Sequence, residues 1–264
     1  MTLVLCGVAA DSGNVDPVPG VDAEGRFEYV PIPEKGPTTE SATYGSLPRR
    51  DGEGSLASLL DRVRPRSEGP WIEGAAVAET PVHRDPNLAA LTYGEHRPGY
   101  VAALRGLEPG DGVGFYAGLA DPETGYKARH LIGYFTVAAE PTTIPPGTDP
   151  ERVRSLLAAH PENAHAHRFA GNGRLYYHDE SFTERPETVV LVDGEAPGGL
   201  FDRALRLSDR RQGPNYYMDA ELVERLAPEG DYLGGFKPAI RCDVDVAELD
   251  ALLAERGIRA APSG

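Results

Sequence analysis

The chain has 264 residues and a formal net charge of −15, because 41 acidic residues stand against 26 basic ones. Three of the basic residues are lysines, so arginine carries nearly all of the positive charge. Abundant carboxylates with scarce lysine are typical of a protein adapted to high salt, where a Debye length of about 3 Å at 1 M screens their repulsion. An ordinary acidic protein is the alternative. In dilute solution this charge would argue against nucleic acid as a partner.

Cysteine usage and the N-terminal residues indicate the cellular compartment of the protein. Cys6 and Cys242 are the only cysteines, and each lies in an apolar run that predicts a strand, where a buried reduced thiol is the usual role. The N-terminus has no positively charged region ahead of an apolar one, and no apolar run approaches membrane-spanning length. We therefore expect a soluble, cytoplasmic protein with no membrane partner.

Apolar runs and turn residues predict a mixture of strands and helices, without an internal repeat or a clear linker. In chain order the predicted elements are a strand at 2–9, a strand at 26–32, a helix at 55–63, a helix at 100–107, two strands within 107–137, a helix at 149–160, a strand at 188–192, helices at 200–207 and 219–226, a strand at 239–244 and a helix at 246–256. This mixture predicts an α+β fold, with a mixed sheet or a partly open barrel and peripheral helices, in a single domain over residues 1–264.

The segment 107–137 carries the strongest structural signal and predicts a turn, a strand, a loop and a second strand. Proline, glycine and aspartate at 109–111 are turn residues, because proline fixes φ and glycine accepts a positive φ. Val113 and Phe115 favour a half-buried strand. Residues 130–137 are apolar almost throughout, as expected for a strand covered on both faces. The pair indicates part of a small ligand-binding barrel.

Known catalytic motifs are absent from the chain. The glycine pairs and the GNG string lack the strand, turn and helix context of a dinucleotide or phosphate loop. Neither a nucleophile elbow nor an HExxH metal helix is present. Candidate functional residues must therefore come from weaker signals.

Histidine is the better candidate, in the string NAHAHR at 163–168. If this stretch is extended, His165 and His167 face the same way and could converge on a metal, a phosphate or a proton transfer. The alternative is that Asn163 and the histidines cap the preceding helix and bind loop carbonyls. Because no paired carboxylate accompanies the two histidines, the sequence predicts no metal site.

A second polar cluster lies in the loop where His83, Arg84 and Asp85 precede Pro86. Polar loop clusters carry function more often than core residues do. Turn formation by the Asp-Pro pair is the alternative role.

Early carboxylates and scattered tyrosines could form a pocket for a base. Asp11, Glu28 and Glu34 could accept hydrogen bonds from a base or a sugar, or could be surface charges. Planar rings stack on bases, although a half-buried core position is the alternative for each. The tyrosines concerned are Tyr29, Tyr44, Tyr93, Tyr116 and Tyr134.

Several strings in fixed order form one pattern across nearly the whole chain: VLCGVAADSG, GRFEYVPIPE, HRDPNLAALTYG, LEPGDGVGFYAGL, LIGYFTV, ENAHAHR and TVVLVDGE. In order and spacing they resemble the third nucleotide-modification-associated domain family, found in archaea, bacteria and phages. After the DSG at 11–13 the chain departs from the family pattern, with NVDPVPGVDAEG in place of glycines and an apolar-aromatic approach.

The resemblance implies an association with DNA base modification and specifies no cofactor. The motif positions that it carries to this chain are Asp11, Ser12, Phe27, Tyr29, Pro31, Glu34, Asp85, Thr92, Tyr93, Gly94, Tyr116, Gly118, Asn163 and His165. From these positions and the residue chemistry together, the predicted ligand-binding residues are Asp11, Ser12, Tyr29, Glu34, Thr92, Tyr93, Tyr116, Asn163 and His165. The expected partners are a nucleotide or nucleic acid with a modified base, and other DNA-modification proteins.

Three functions are compatible with these signals. The first is a protein that recognises a modified base by stacking and edge contacts. The second is an enzyme acting on a nucleotide or modified base, with His165 as general acid or base and Asp11 or Glu34 as its carboxylate partner. The third is an interaction protein without a small-molecule site. The enzyme is favoured if His165 and a carboxylate point into one cavity.

Overall fold

The computed structural model describes residues 1–9, 15–65, 69–176, 187–212, 215–235 and 238–261. Thirteen strands and seven helices are found within this part of the chain. The strands are β1 (Leu3–Gly7), β2 (Val15–Asp16), β3 (Ile32–Pro33), β4 (Arg64–Pro65), β5 (Val82–His83), β6 (Thr92–Glu95), β7 (Gly112–Ala120), β8 (Lys127–Val137), β9 (Thr142–Ile144), β10 (Val189–Arg206), β11 (Ser208–Gln212), β12 (Asn215–Met218) and β13 (Ile240–Cys242). The helices are α1 (Ala57–Leu60), α2 (Gly74–Val77), α3 (Pro98–Leu104), α4 (Pro150–Leu157), α5 (Ala164–Asn172), α6 (Ala220–Leu226) and α7 (Val246–Glu255).

The main sheet has seven strands in the order β13-β1-β7-β8-β10-β6, with β9 also paired to β10. β1 and β7 run parallel, and the other neighbouring pairs are antiparallel. This sheet is mixed and curls into a half-barrel. The predicted α+β class, with a partly open barrel and peripheral helices, is therefore confirmed.

β7 and β8 lie in the middle of the sheet, and every residue of β7 is buried. The turn before them is built as predicted, since Gly110 has a φ of 91° and Glu108 N donates to the Asp111 carboxylate at 2.9 Å. The turn and the two strands predicted at 107–137 are confirmed, because local turn chemistry and apolar runs indicate the same structure.

β10 corrects one prediction. The strand predicted at 188–192 is its beginning, but the helix predicted at 200–207 is wrong because the backbone continues as a strand. Leu205 pairs with Leu131 of β8, after a register shift that bends the strand. Hydrogen bonds to β8 and the burial of Phe201 in the core outweigh the helical spacing of the apolar residues.

Residues 26–33 contain little regular structure, and the strand predicted at 26–32 is wrong. Phe27 makes a single bridge to Val21, and beyond it only the two-residue β3 pairs, against β5. Pro31 has no N–H to donate to a ladder, which limits pairing here. The helix predicted at 55–63 is reduced to the single turn α1.

The remaining predicted elements are confirmed with small shifts of their ends, as β1, α3, α4, α6, β13 and α7. At the start of α4, the Asp149 carboxylate accepts hydrogen bonds from two backbone N–H groups, as predicted for an N-cap. Cys6 and Cys242 are buried free thiols. Across the described ranges, no helix could span a lipid bilayer. The single domain stays a prediction.

Candidate functional site

His83, Asp85 and His165 converge at the wall of a small cavity, and we call them the His–Asp–His cluster. His83 ends β5, Asp85 follows it by two residues, and His165 lies in the first turn of α5. β5 is paired with β3, while α5 packs against β6, the strand that follows the Asp85 loop. Packing of these elements brings distant parts of the chain together.

Asp85 joins the two histidines through one oxygen. Its Oδ2 lies 3.2 Å from His165 Nε2 and 3.6 Å from His83 Nε2. The two imidazoles meet edge to face, with ring centroids 5.5 Å apart. All three side chains are buried, with exposed fractions of 7% for His83 and Asp85 and 2% for His165. One donor atom from each residue lies within 4.8 Å of the others.

The start of α5 orients His165. Asn163 is the N-cap, and its side-chain oxygen accepts a hydrogen bond from His165 N at 3.0 Å. His165 Nδ1 donates to the carbonyl of Leu175. Because a carbonyl can only accept, Nδ1 carries a proton, and Nε2 is the nitrogen that faces Asp85.

Gly94 in β6 provides the space that His165 occupies. A Cβ at this position would lie 2.9 Å from His165 Nε2 and 3.1 Å from Asn163 Oδ1, and closer still to a ring carbon of His165. Gly94 N also donates to Asp85 Oδ1 at 2.8 Å, which leaves Oδ2 to face the histidines. The glycine is therefore required for the close approach of the ring.

Glu34 orients His83. The His83 Nδ1 atom lies 2.9 Å from Glu34 Oε2, and Arg168 Nε donates to Glu34 Oε1 at 2.8 Å. Arg168 Nη2 lies 3.0 Å from Nδ1 and 3.5 Å from Nε2 of His83, so it is not in line with the lone pair of either nitrogen. We therefore assign the proton on Nδ1 to the hydrogen bond with Glu34, and Nε2 is the nitrogen that faces Asp85.

The surroundings of the cluster favour positive charge. Burial raises the pKa of Asp85, but hydrogen bonds and charges from His165 and His83 lower it by more, to about 2. Burial also raises the pKa of Glu34, and hydrogen bonds from His83 and Arg168 bring it down to about 2. Burial lowers the pKa of His83, yet hydrogen bonds to Asp85 and Glu34 raise it above its usual value. The carboxylate of Glu34 is thus held by His83 and Arg168, and that of Asp85 by the two histidines.

A cavity of about 210 Å³ lies beside the cluster. Its wall includes a second charged pair, because Arg97 Nε donates to Glu95 Oε2 at 2.9 Å and Tyr93 OH donates to the same oxygen at 3.0 Å. Burial lowers the pKa of His96 to about 4, so this ring is neutral. The other lining residues are Gly7, Val8, Ala9, Ile32 and Gly94.

Five of the predicted ligand-binding residues lie at or around the cluster. His165 and Tyr93 line the cavity, and Glu34 holds His83. Asn163 Nδ2 donates to Thr92 Oγ1 at 3.0 Å, so these two residues support the N-cap that positions His165.

The other predicted residues lie elsewhere. Tyr29 OH donates to the carbonyl of Pro86 at 3.1 Å, and Tyr116, fully buried in the core, donates to that of Pro238 at 2.7 Å. Neither ring lines the cavity. Within the described residues, the tyrosines therefore do not surround one stacking pocket. The predicted Asp11 and Ser12 lie outside the described residues.

The NAHAHR string is not extended, because its residues begin α5, and Asn163 caps this following helix and not the preceding one. Side chains two residues apart lie on different faces of a helix. His167 Nδ1 accordingly lies 3.0 Å from Thr39 Oγ1, away from the cluster. Residues three apart share a face, so helical spacing would have grouped His165 with Arg168.

Sequence reasoning noticed His83 and Asp85 as polar loop residues but did not join them to His165. It predicted no metal site because it found no carboxylate near His165 in the sequence. Asp85 is that carboxylate, and no spacing rule connects it to α5. Glu95 and Arg97 were missed, and the sequence holds no signal that separates them from surface charges.

The protein is therefore an α+β protein with a curled mixed sheet and a buried His–Asp–His cluster at a cavity wall. The chain belongs to the nucleotide modification associated domain 3 family, whose model matches residues 2–237 of 264. The resemblance carried by the sequence strings is thereby confirmed, and it supports an association with nucleotide modification in general. No curated protein and no solved structure matches the chain.

Proposed function

We propose that this protein is an enzyme that modifies a nucleotide or a nucleobase of DNA, with the His–Asp–His cluster as its reaction centre. The observation that carries the proposal is the separation of 3.2 Å between His165 Nε2 and Asp85 Oδ2, two buried groups that line one cavity. Titratable groups that converge at a cavity are the usual sign of a reaction centre. Family membership supports a nucleotide or nucleic acid as the substrate class.

In this proposal Asp85 takes the place predicted for Asp11 or Glu34 as the carboxylate beside His165. Glu34 binds the other nitrogen of His83 and is held by Arg168, so it supports the centre from outside. Asp85 has one oxygen tied to a backbone N–H and one oxygen facing both histidines.

The size of the cavity limits what can enter it. A volume of about 210 Å³ is below the range of roughly 300–1,000 Å³ for pockets that enclose a drug-sized ligand. We therefore propose that only part of a nucleotide, such as its base, reaches the cluster. A base in duplex DNA would have to be extruded from the stack, at a cost of a few kcal/mol.

Recognition of a modified base without chemistry is the competing function, and its predicted basis was stacking on Tyr29, Tyr93 and Tyr116. Tyr93 lines the cavity, but its hydroxyl donates to Glu95 and its ring packs edge to face on Phe115, with centroids 5.1 Å apart. These contacts of Tyr93 support an enzyme over a protein that only recognises a modified base. A role as an interaction protein, high-salt adaptation, a cytoplasmic location and other DNA-modification proteins as partners stay predictions.

The test is incubation of the purified chain, in high salt, with a panel of modified and unmodified nucleotides and short DNAs, followed by mass spectrometry. We expect a mass change that is lost in His165→Gln and kept in His167→Gln, whose histidine lies on the same helix outside the cluster. Selective binding with unchanged ligands would instead support a protein that only recognises a modified base. No binding and no mass change would favour the interaction protein.

A further inference from the structure

We propose that the His–Asp–His cluster binds one divalent transition-metal ion, with His83 Nε2, His165 Nε2 and Asp85 Oδ2 as its ligands. Two imidazoles and one carboxylate are a donor set that mononuclear Fe²⁺ and Zn²⁺ sites use. The inference rests on the proposed function in one respect, because it names the ion that the same reaction centre would use.

The distances from Asp85 to the two histidines are close to those between ligands of a single ion. Ligands bound at about 2.0–2.2 Å from an ion lie about 3.0–3.5 Å from one another. Asp85 Oδ2 lies 3.2 Å from His165 Nε2 and 3.6 Å from His83 Nε2. All three donors lie within 4.8 Å of one another, so side-chain movements would bring them onto one ion.

Outer hydrogen bonds turn the donor atoms inward. His165 Nδ1 donates to the carbonyl of Leu175, and His83 Nδ1 donates to Glu34. Histidines that bind metals usually donate their other ring N–H to a carbonyl or a carboxylate in this way, which fixes the ring orientation. Asp85 Oδ1 is likewise held by a backbone N–H, so its Oδ2 remains for the ion.

The cluster favours a cation on electrostatic grounds. Two imidazole Nε2 atoms and a carboxylate oxygen face one another in a buried site, and a positive charge between them, carried by protons or by a metal ion, makes this arrangement favourable. Glu34 accepts a hydrogen bond from the Arg168 guanidinium, whereas the ion-pair partners of Asp85 within the described residues are the two histidines. A divalent ion would supply positive charge at the point where the donors meet.

Ligand chemistry selects the class of ion. Mg²⁺ and Ca²⁺ prefer oxygen ligands, whereas imidazole nitrogen suits Zn²⁺ and Fe²⁺. Three protein ligands leave coordination positions open, and the three side chains all line the cavity. Water or a substrate atom could occupy those positions, which is the arrangement of a catalytic rather than a structural metal site.

The first test uses the whole chain, stripped with EDTA and dialysed, and titrated with Co²⁺ as a coloured substitute for Zn²⁺ and Fe²⁺. We expect visible absorption that saturates at about one ion per chain, without the sulfur charge-transfer band that ligation by Cys6 or Cys242 would give. Zn²⁺ should displace Co²⁺, and Mg²⁺ should not. Zn²⁺ in hundredfold excess over its Kd should raise Tm by about 5–10 °C.

The second test uses variants. His83→Gln, Asp85→Asn and His165→Gln should each lower Co²⁺ affinity by more than about 100-fold, since changes in outer groups alone cost about 10–100-fold. His167→Gln is the matched control and should bind Co²⁺ like the unchanged chain. If the buried variants do not fold, as judged by circular dichroism, X-ray absorption of the Zn²⁺-loaded unchanged chain replaces them. It should show two imidazoles and no sulfur.

Absence of saturable Co²⁺ binding by the folded chain, equal binding by the cluster variants, or a sulfur ligand would overturn the inference. Because binding is measured without substrate, the two proposals fail separately. A mass change without Co²⁺ binding would support the proposed enzyme and contradict the metal site. Saturable Co²⁺ binding with no mass change would support the metal site and contradict the proposed reaction for that panel.

Discussion

Two histidine–aspartate pairs lie close together in this protein, and they differ in what surrounds them. His160 Nδ1 lies 2.7 Å from Asp193 Oδ2, without hydrogen-bond alignment, and His160 Nε2 lies 2.9 Å from Thr142 Oγ1. The pair of His165 and Asp85 is longer, at 3.2 Å. The Asp193 side chain is 38% exposed, against 7% for Asp85. A short distance between the two residue types therefore does not distinguish the proposed reaction centre; the second imidazole and the cavity do.

The two pairs are also connected. Asn163 Nδ2 donates to Thr92 Oγ1 at 3.0 Å, and Thr92 Oγ1 lies 3.0 Å from Asp193 Oδ1. Since Asn163 caps the helix that carries His165, the outer pair supports the inner one. This division into a supporting pair and a functional pair can be tested by substitution.

The largest expected effect distinguishes the carboxylate of Asp85 from that of Asp193. Asp85→Asn should lower the rate of the mass change by about 10²–10⁴-fold, the range for loss of a reacting acid–base group. Asp193→Asn should leave the rate largely unchanged, because its carboxylate is half in solvent and outside the cavity lining. Rates are measured by mass spectrometry on folded variants. Equal losses in both would remove the distinction between the pairs.

The next effect concerns the space for His165. Gly94→Ala would place a Cβ against the His165 ring, so we expect a loss of about 1–3 kcal/mol in the free energy of unfolding and a displaced histidine. Urea denaturation and Co²⁺ titration measure the two effects. Gly99→Ala in α3 is the control, because a Cβ there meets nothing within 4 Å. A Gly94→Ala chain with an unchanged free energy of unfolding and unchanged Co²⁺ affinity would contradict the packing of His165 against Gly94.

A smaller effect should follow from removing the charge behind His83. Glu34→Gln keeps the shape of the side chain but removes the carboxylate that orients the ring, so Co²⁺ affinity should fall about 10–100-fold. The control is Glu40→Gln, which removes a carboxylate that accepts from Arg84 Nε at 2.8 Å and contacts neither histidine of the cluster. Competition titration gives both affinities. The same affinity in the two variants would show that Glu34 does not support the site.

The smallest effect tests the connection between the pairs. Thr92→Val leaves the buried Asn163 amide without its acceptor, which should cost about 1–3 kcal/mol of unfolding free energy. Thr143→Val, at an exposed position of β9, should change it by less than about 0.5 kcal/mol. Urea denaturation measures both. If the two variants are alike, the hydrogen bond between Asn163 and Thr92 contributes little.

Local signals predicted the parts of the fold that local contacts decide. The turn before β7 and the N-cap of α4 were found because their side chains act on backbone groups a few residues away. The helix predicted at 200–207 failed for the opposite reason, since pairing of β10 with β8 involves residues far away in the chain. The convergence of His165 and His167 that an extended NAHAHR string would allow is not found, because Asn163 starts a helix there.

The candidate site shows the same limit. Residue chemistry and the family strings indicated His165, Asn163 and Glu34 from the sequence alone, and the sequence by itself determined the family and the fold class. Only the tertiary structure decided which carboxylate meets which imidazole. Asp85 reaches His165 because β5, β6 and α5 pack together and Gly94 leaves room for the ring. Such contacts depend on the relative positions of whole elements, and no local preference of the chain encodes them.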